Sequence, residues 1–301
     1  MSDYPSLAVR RLSVPVEPGP RRAARTVRCL SALARACHPL PTVAVTAFVT
    51  AVAAAAGRGV AGSAAVGAAV LAGQASIGWC NDALDARRDA AAGRTDKPAA
   101  SGELSPRAIG VASGLSLAAC VPLSLLSGWP AGAAHLVGVL AGGWAYDVAL
   151  KRTPLSPLPY AVGLGSLPAF VTLGLPGHPW PAWWAVTGAA LLGVGAHLLN
   201  VLPDIADDRA GGVRGLPQRL GPRWVRRLAP PVLLTAVAVV ACGPSGGAGP
   251  LGWATLAAAA PVAAAGAAWP ADERSNTPFL AAVAVAGLTV FLLVARGGRL
   301  T

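Results

Sequence analysis

Six stretches of this sequence contain no Asp, Glu, Lys or Arg: residues 36–57, 59–81, 108–146, 153–203, 228–271 and 275–295. A helix crossing the hydrocarbon core of a bilayer needs about 20 predominantly apolar residues. The stretches of 22, 23 and 21 residues hold one such helix each, and those of 39, 51 and 44 residues hold two. The three long stretches break where a pair of helices has to turn: at Gly128-Trp129-Pro130, between Pro176 and Pro181, and between Gly243 and Pro250. The expected fold is therefore all-α, a polytopic membrane bundle of nine helices. Approximate spans are 38–57, 60–80, 107–127, 131–148, 157–175, 182–202, 225–242, 251–268 and 278–295. Only 12% of the residues are charged, about half the share of a soluble domain. That deficit excludes a disordered chain, a nucleic-acid-binding arm and a soluble fold.

Where the charge sits gives the orientation. With the N-terminus in the cytoplasm, 21 of the 24 Lys and Arg residues fall on the inner side, leaving Arg58, Arg296 and Arg299 outside. This is a strong positive-inside asymmetry. It accounts for the net charge of +11 without nucleic acid as a partner. All 13 acidic residues also fall inside, most of them in two long loops, 82–106 and 203–224. Chemistry is therefore expected on the cytoplasmic face.

Residues 1–37 carry seven Arg and no apolar core, so they read as a flexible basic arm on anionic lipid and not as a signal peptide. Residues 38–296 form the membrane catalytic domain and 297–301 a short tail. The five cysteines include no CxxC pair, and free thiols are expected. Abundant Ala, Gly, Arg and Pro fit a GC-rich bacterial genome and a cell-membrane location. Most of the nine Trp fall near helix ends, as an interfacial belt. Trp144, inside a helix, is the one placed as a pocket wall.

The second and sixth predicted helices both run into the pattern N-x-x-x-D-x-x-x-D, at Asn81, Asp85 and Asp89 and at Asn200, Asp204 and Asp208. Residues four apart on a helix share a face, so each triplet presents an amide and two carboxylates in one direction. Pro203 bends or unwinds the second segment. Carboxylates crowded at a membrane interface repel unless a cation stands between them. Mg2+ suits the position, being a hard ion that uses few carboxylates and shares substrate phosphates. Two facing sites can then hold a diphosphate. Arg94 and Lys97 follow the first triplet, Arg209 and Arg214 the second, and Lys151 lies in a third inner loop. Arg recognises phosphate bidentately and Lys acts as a point charge. Gln74 and His197, one or two turns before the triplets, could face the pocket and touch an acceptor, or form interhelical hydrogen bonds.

With these residues in hand, the sequence resembles the UbiA superfamily of intramembrane prenyltransferases, from about residue 35 to 296. The resemblance is carried by Asn81-Asp82-x-x-Asp85-x-x-x-Asp89 with Arg94, Lys97-Pro98 and Ser101-Gly102. It continues through Tyr146 to Lys151, and through Asp204-Ile-Ala-Asp-Asp208-Arg209-Ala-Gly211 followed by Leu220-Gly221. It implies a helical bundle that binds an allylic isoprenoid diphosphate through Mg2+ held by two Asp-rich motifs, beneath a cap of cytoplasmic loops. Position by position, Asn81, Asp85 and Asp89 would hold one metal, and Asp204 and Asp208, with Asn200, the other. Asp82 would act through water. Arg94, Lys97, Lys151 and Arg214 would contact the diphosphate, and Tyr146 would sit beside the reacting allylic carbon.

The reading that follows is a Mg2+-dependent transferase moving a prenyl group onto a small, aromatic acceptor. A terpene cyclase shares the ionisation step but lets the cation close on its own chain. A transporter would place ionisable groups near the bilayer midplane, and here the acids stand at helix ends.

Overall fold

The computed structural model describes residues 21–270 and 275–301, with side chains from residue 26 onward in the first helix. Residues 1–20 of the predicted basic arm, and the turn carrying Arg274, lie outside the described residues. The remainder of the arm is helical. Helix α1, Arg21–Ala36, is rich in Ala, Leu and Arg and buries Ala32 and Ala36 while Val27 and Leu30 stay exposed. It meets α2, Pro39–Ala55, at a bend of 70°. Trp79 Nε1 donates to the Leu33 carbonyl at 2.8 Å, and Arg35 pairs with Glu103, so α1 is fastened to the body from two sides.

Helix α3, Gly59–Ala91, has 33 residues and is about 50 Å long, against a hydrocarbon core of about 30 Å. Its last three turns therefore project beyond the core, and these turns carry Asp82, Asp85 and Asp89. The expected helix end at residue 80 falls short by eleven residues, because Asp85 and Arg88, three residues apart, satisfy one another along the helix and do not stop it. Helix α4, Pro106–Leu125, starts at Ser105, whose side chain accepts from the Ala108 amide at 3.2 Å.

The next two expected spans take broken forms. The first is α5, Trp129–Val137, a π-helical stretch Gly138–Trp144, and α6, Ala145–Val148. A 3-10 turn at Leu150–Arg152 follows. The second is α7, Pro157–Gly165, and α8, Leu167–Thr172, interrupted at Ser166 just before Pro168. Helix α9, Trp183–Val201, passes through a 3-10 turn, Leu202–Asp204, into α10, Ile205–Ala210. Pro203 lacks an amide hydrogen, which accounts for the tightened turn. The chain then forms α11, Leu216–Leu220, α12, Pro222–Cys242, α13, Gly249–Ala268, and α14, Thr277–Ala295.

Among the described residues six helical segments are long and apolar enough to cross a membrane: α3, α4, Trp183–Ala210, α12, α13 and α14. The bent α1–α2 pair makes a seventh when taken as one span. Helices pack in chain order from α2 onward, α9 lies against both α7 and α12, and α14 returns to α2, so the bundle closes into a ring. At the end remote from the carboxylates, Arg58 donates to Ser127 Oγ at 2.9 Å and to the Val171 carbonyl at 3.4 Å. Arg296 donates there to the carbonyls of Ala241 and Ala248.

Close approach explains two glycines. A Cβ on Gly193 would overlap the Tyr160 carbonyl, and one on Gly78 would overlap the carbonyl of Cys37. Both obstacles are backbone and cannot turn aside. Gly78→Ala is expected to destabilise the bundle by about 1–3 kcal/mol, read as a lower midpoint of thermal unfolding in detergent. An unchanged midpoint would mean that the α1–α2 junction yields freely.

Candidate active site

Helix α3 delivers three carboxylates to the interior: Asp82, Asp85 and Asp89 are each under 5% exposed. None is left bare. Asp85 Oδ1 accepts from Lys151 Nζ at 2.5 Å and Asp85 Oδ2 from Arg88 at 2.9 Å. Asp89 Oδ2 accepts from Lys97 Nζ at 2.7 Å, and its other oxygen faces Arg88 at 3.4 Å. Asp82 accepts from the Ala99 amide at 3.3 Å, tying the following loop to the helix. Lys151 reaches Asp85 from the 3-10 turn after α6, with its side chain 6% exposed. A lysine buried this deeply requires a counter-charge, and the pair is the least exposed ion pair among the described residues.

The second triplet is divided among three local structures: Asn200 in α9, Asp204 in the 3-10 turn and Asp208 in α10. Two arginines draw it toward the first. Arg88 stands 3.8 Å from Asp208 Oδ1, and Arg94 stands 3.3 Å from Asp204 Oδ1. Asp208 also accepts from Gln218 Nε2 at 2.7 Å, and the Gln218 carbonyl accepts from Arg209 Nε at 2.5 Å. Arg94 makes a fork of two 3.0 Å hydrogen bonds to Asp96. That contact holds the Asp96 carboxyl below its ordinary range and raises the guanidinium further, so both stay charged.

These groups form the mouth of a cavity of about 750 Å3 running into the bundle. Of the residues expected at the site, Gln74, Asn81, Asp82, Asp85, Asp89, Arg94, Lys97, Tyr146, Lys151, Asn200, Asp204 and Asp208 line it. Three do not. Arg214 is exposed, its carbonyl accepting from Arg219. Trp144 turns its indole N–H to Ser76 Oγ at 2.8 Å, because two residues along a helix from Tyr146 is the opposite side. His197 is 1% exposed and hydrogen-bonds Ser156 at 3.1 Å, which is the interhelical bond weighed as its other role. Its ring lies behind Tyr146 and Tyr160, with centroids 5.5 and 4.5 Å away, and the two tyrosines meet edge to face at 5.0 Å.

Four lining residues were missed or left without a role. In the sequence Arg88 is one of the 21 inner-side basic residues, although its position three after Asp85 is a helical pairing distance. His38 lines the cavity at the α1–α2 bend with φ of 55°, a left-handed conformation uncommon outside glycine. Tyr160 had no signal beyond its own ring. Asp147 accepts from Asn81 Nδ2 at 2.9 Å, while its Oδ2 is buried with no hydrogen-bond partner.

Among the described residues no three acidic, imidazole or thiol side chains converge on one point. The carboxylates are instead interleaved with Arg88, Lys97 and Lys151. This donor set fits Mg2+, which takes one or two carboxylates and completes its octahedron with water and substrate phosphates. The orphaned Asp147 oxygen adds a further hard donor beside Asn81.

Comparison with known proteins agrees with this geometry. The "Bacteriochlorophyll synthase 33 kDa chain" of Cereibacter sphaeroides is 35% identical over 179 residues, 56% of each chain, so the match spans about half of that relative's length. A solved UbiA homologue from Archaeoglobus fulgidus, bound to GPP and Mg2+, superposes with a TM-score of 0.68 at 17% identity, covering 88% of this chain and 98% of that one. The apo UbiA homologue from Aeropyrum pernix K1 gives 0.67 at 21% identity, covering 85% and 97%. The sequence model of the UbiA prenyltransferase family matches residues 40–283, most of the membrane bundle, and the chain belongs to that family.

Proposed function

We propose that this protein ionises an allylic isoprenoid diphosphate and transfers the prenyl group to a small, aromatic acceptor, releasing diphosphate. The observation that carries the reading is one cavity mouth where Arg88, Arg94, Lys97 and Lys151 alternate with two carboxylate segments above a large interior space. A diphosphate takes the basic groups, and its hydrocarbon tail takes the cavity. The Archaeoglobus fulgidus homologue solved with GPP or DMAPP and Mg2+ supports that choice of ligand.

Asn81, Asp82, Asp85 and Asp89 on one side, and Asn200, Asp204 and Asp208 on the other, are the residues assigned to Mg2+. Bound there, the ions supply positive charge against the leaving diphosphate. Arg94, Lys97 and Lys151 hold the phosphate oxygens as charge develops. Arg88 takes the place given to Arg214, because it faces both carboxylate segments. Tyr146 and Tyr160 present π faces to the allylic cation. The bundle keeps water from the cation until the acceptor captures it. Gln74, deeper on α3, is the polar group assigned to the acceptor.

In this reading the carboxylate end faces the cytoplasm, the loops around 92–106 and 211–221 cap it, and nine segments traverse the bilayer. Residues 38–296 form the catalytic domain, and α1 lies along the inner lipid surface.

The test is pyrophosphate release by the detergent-purified protein with C10 to C20 allylic diphosphates. Release that rises when an aromatic acid or quinone precursor is added establishes transfer. A cyclic hydrocarbon or alcohol without acceptor replaces transfer by cyclisation. EDTA is expected to stop turnover and added Mg2+ to restore it; release that persists in EDTA overturns the metal assignment.

A further inference from the structure

A second cavity, of about 110 Å3, lies in the half of the bundle remote from the carboxylates, between α2, α7, α8, α9, α12 and α14. Its walls are apolar apart from Thr289, and Leu300, 3% exposed, borders it, its carbonyl accepting from the Ala182 amide at 2.6 Å. Two side chains border both this cavity and the active-site cavity: Leu164, near the end of α7, and Leu167, at the start of α8. They flank the break at Ser166, whose hydroxyl donates to the Gly163 carbonyl at 3.0 Å. We propose that Leu164 and Leu167 form a partition across one tail channel, and that this partition sets the length of the prenyl donor.

The inference rests on the prenyl-diphosphate reading of the inner cavity, and it names what limits the substrate there. From Asp85 to Gln74, both on the cavity wall, eleven residues of helix span about 16 Å. An extended isoprene unit advances about 5 Å over its four C–C bonds of about 1.5 Å, so the wall from Asp85 to Gln74 is about three units long. An apolar cavity of about 150 Å3 holds a benzene ring, so 110 Å3 suits one further five-carbon unit. With the partition in place that space is closed to the tail. With it removed, the channel lengthens by one unit.

Leucine suits a partition. It has two freely rotating side-chain bonds and no polar atom to satisfy. Placed beside a helix break, it can be exchanged without loss of a regular helical turn. The polar side chain in its lining, Thr289, already donates its hydroxyl to the Val285 carbonyl at 2.8 Å, so the occupant is hydrocarbon.

The experiment compares the wild-type protein with Leu167→Ala, and with Leu167→Ala combined with Ala189→Phe, which fills the second cavity from α9. Two readouts are taken with C10, C15 and C20 donors: kcat/KM for pyrophosphate release, and thermal stabilisation by the matching non-ionising thiolodiphosphates. Each buried CH2 contributes about fourfold in affinity. The expected result is a rise of about tenfold or more in the C20-to-C15 ratio for Leu167→Ala, in both readouts, reversed by the added phenyl ring. An unchanged ratio in a folded, active Leu167→Ala protein overturns the partition while leaving the prenyl-diphosphate reading intact. Absence of both release and stabilisation in the wild-type protein overturns that reading, and the partition with it. A ratio that stays high after Ala189→Phe shows that the tail leaves by another route and also overturns the proposal.

Discussion

Asp85→Asn is expected to lower pyrophosphate release by about 100- to 1000-fold while the protein elutes from size exclusion as the wild type does. Asp85 is 3% exposed and serves two cations at once, Lys151 on one oxygen and Arg88 on the other. Asparagine keeps the shape and one acceptor oxygen but removes the charge that both cations face and that a hard metal needs. Asp85→Ala is the harsher change. Leaving a buried charge without its partner costs about 3–5 kcal/mol, so a loss there would mix folding with catalysis. Asp204 supplies the control, because its side chain is 37% exposed and its contact with Arg94 is longer. Asp204→Ala should fold normally and lose turnover to a similar degree. Wild-type activity in either Asp85→Asn or Asp204→Ala overturns the assignment of two cooperating carboxylate segments.

The second large effect is expected at Lys151. Its ammonium is 2.5 Å from Asp85 and nearly inaccessible, and it is delivered by a three-residue 3-10 turn between two broken helices. In the proposed reaction it gains most when charge accumulates on the departing diphosphate. Lys151→Ala should therefore lower kcat by about 100-fold or more and change KM less. Lys151→Arg should rescue poorly, because a planar fork needs space and geometry that a point charge does not. Unchanged kcat and KM in Lys151→Ala would reduce Lys151 to a structural partner of Asp85. A tenfold rise in KM with unchanged kcat would make it a binding group only.

Much of this arrangement was legible in the sequence, for a physical reason. Desolvating a charge in lipid is costly enough that charge-free stretches mark membrane segments almost by themselves, and six of the described helices meet the requirement of length and apolarity. The same economy of charge made the two N-x-x-x-D-x-x-x-D patterns stand out, and the structure brings both to one cavity. What counting charges cannot see is how a helix is interrupted. The π-helical stretch at 138–144 and the break at Ser166 depend on glycines and Pro168 in three-dimensional contact, and Gly142 and Gly163 pack backbone to backbone.

Arg88 was missed for a related reason. An arginine after a membrane helix reads as an orientation signal, and only the continuation of α3 to Ala91 turns it inward. Trp144 could have been placed better from the sequence, because Tyr146 facing the cavity sends a residue two positions earlier to the other side. His197 could not, since its separation from the cavity depends on the bulk of Tyr146 and Tyr160, which come from other helices.

Arg58 and Arg296 spend their guanidiniums on carbonyls and a hydroxyl of the protein itself, leaving Arg299 as the exposed side-chain charge at that end among the described residues. Helix ends stitched from within ask little of the headgroups around them. Among the described residues the opposite end carries nearly all the basic side chains and all the acidic ones. The two leaflets should thus be unequal partners: exchanging zwitterionic for anionic lipid on the carboxylate side shifts the protein's seating, and the same exchange on the other side passes unnoticed.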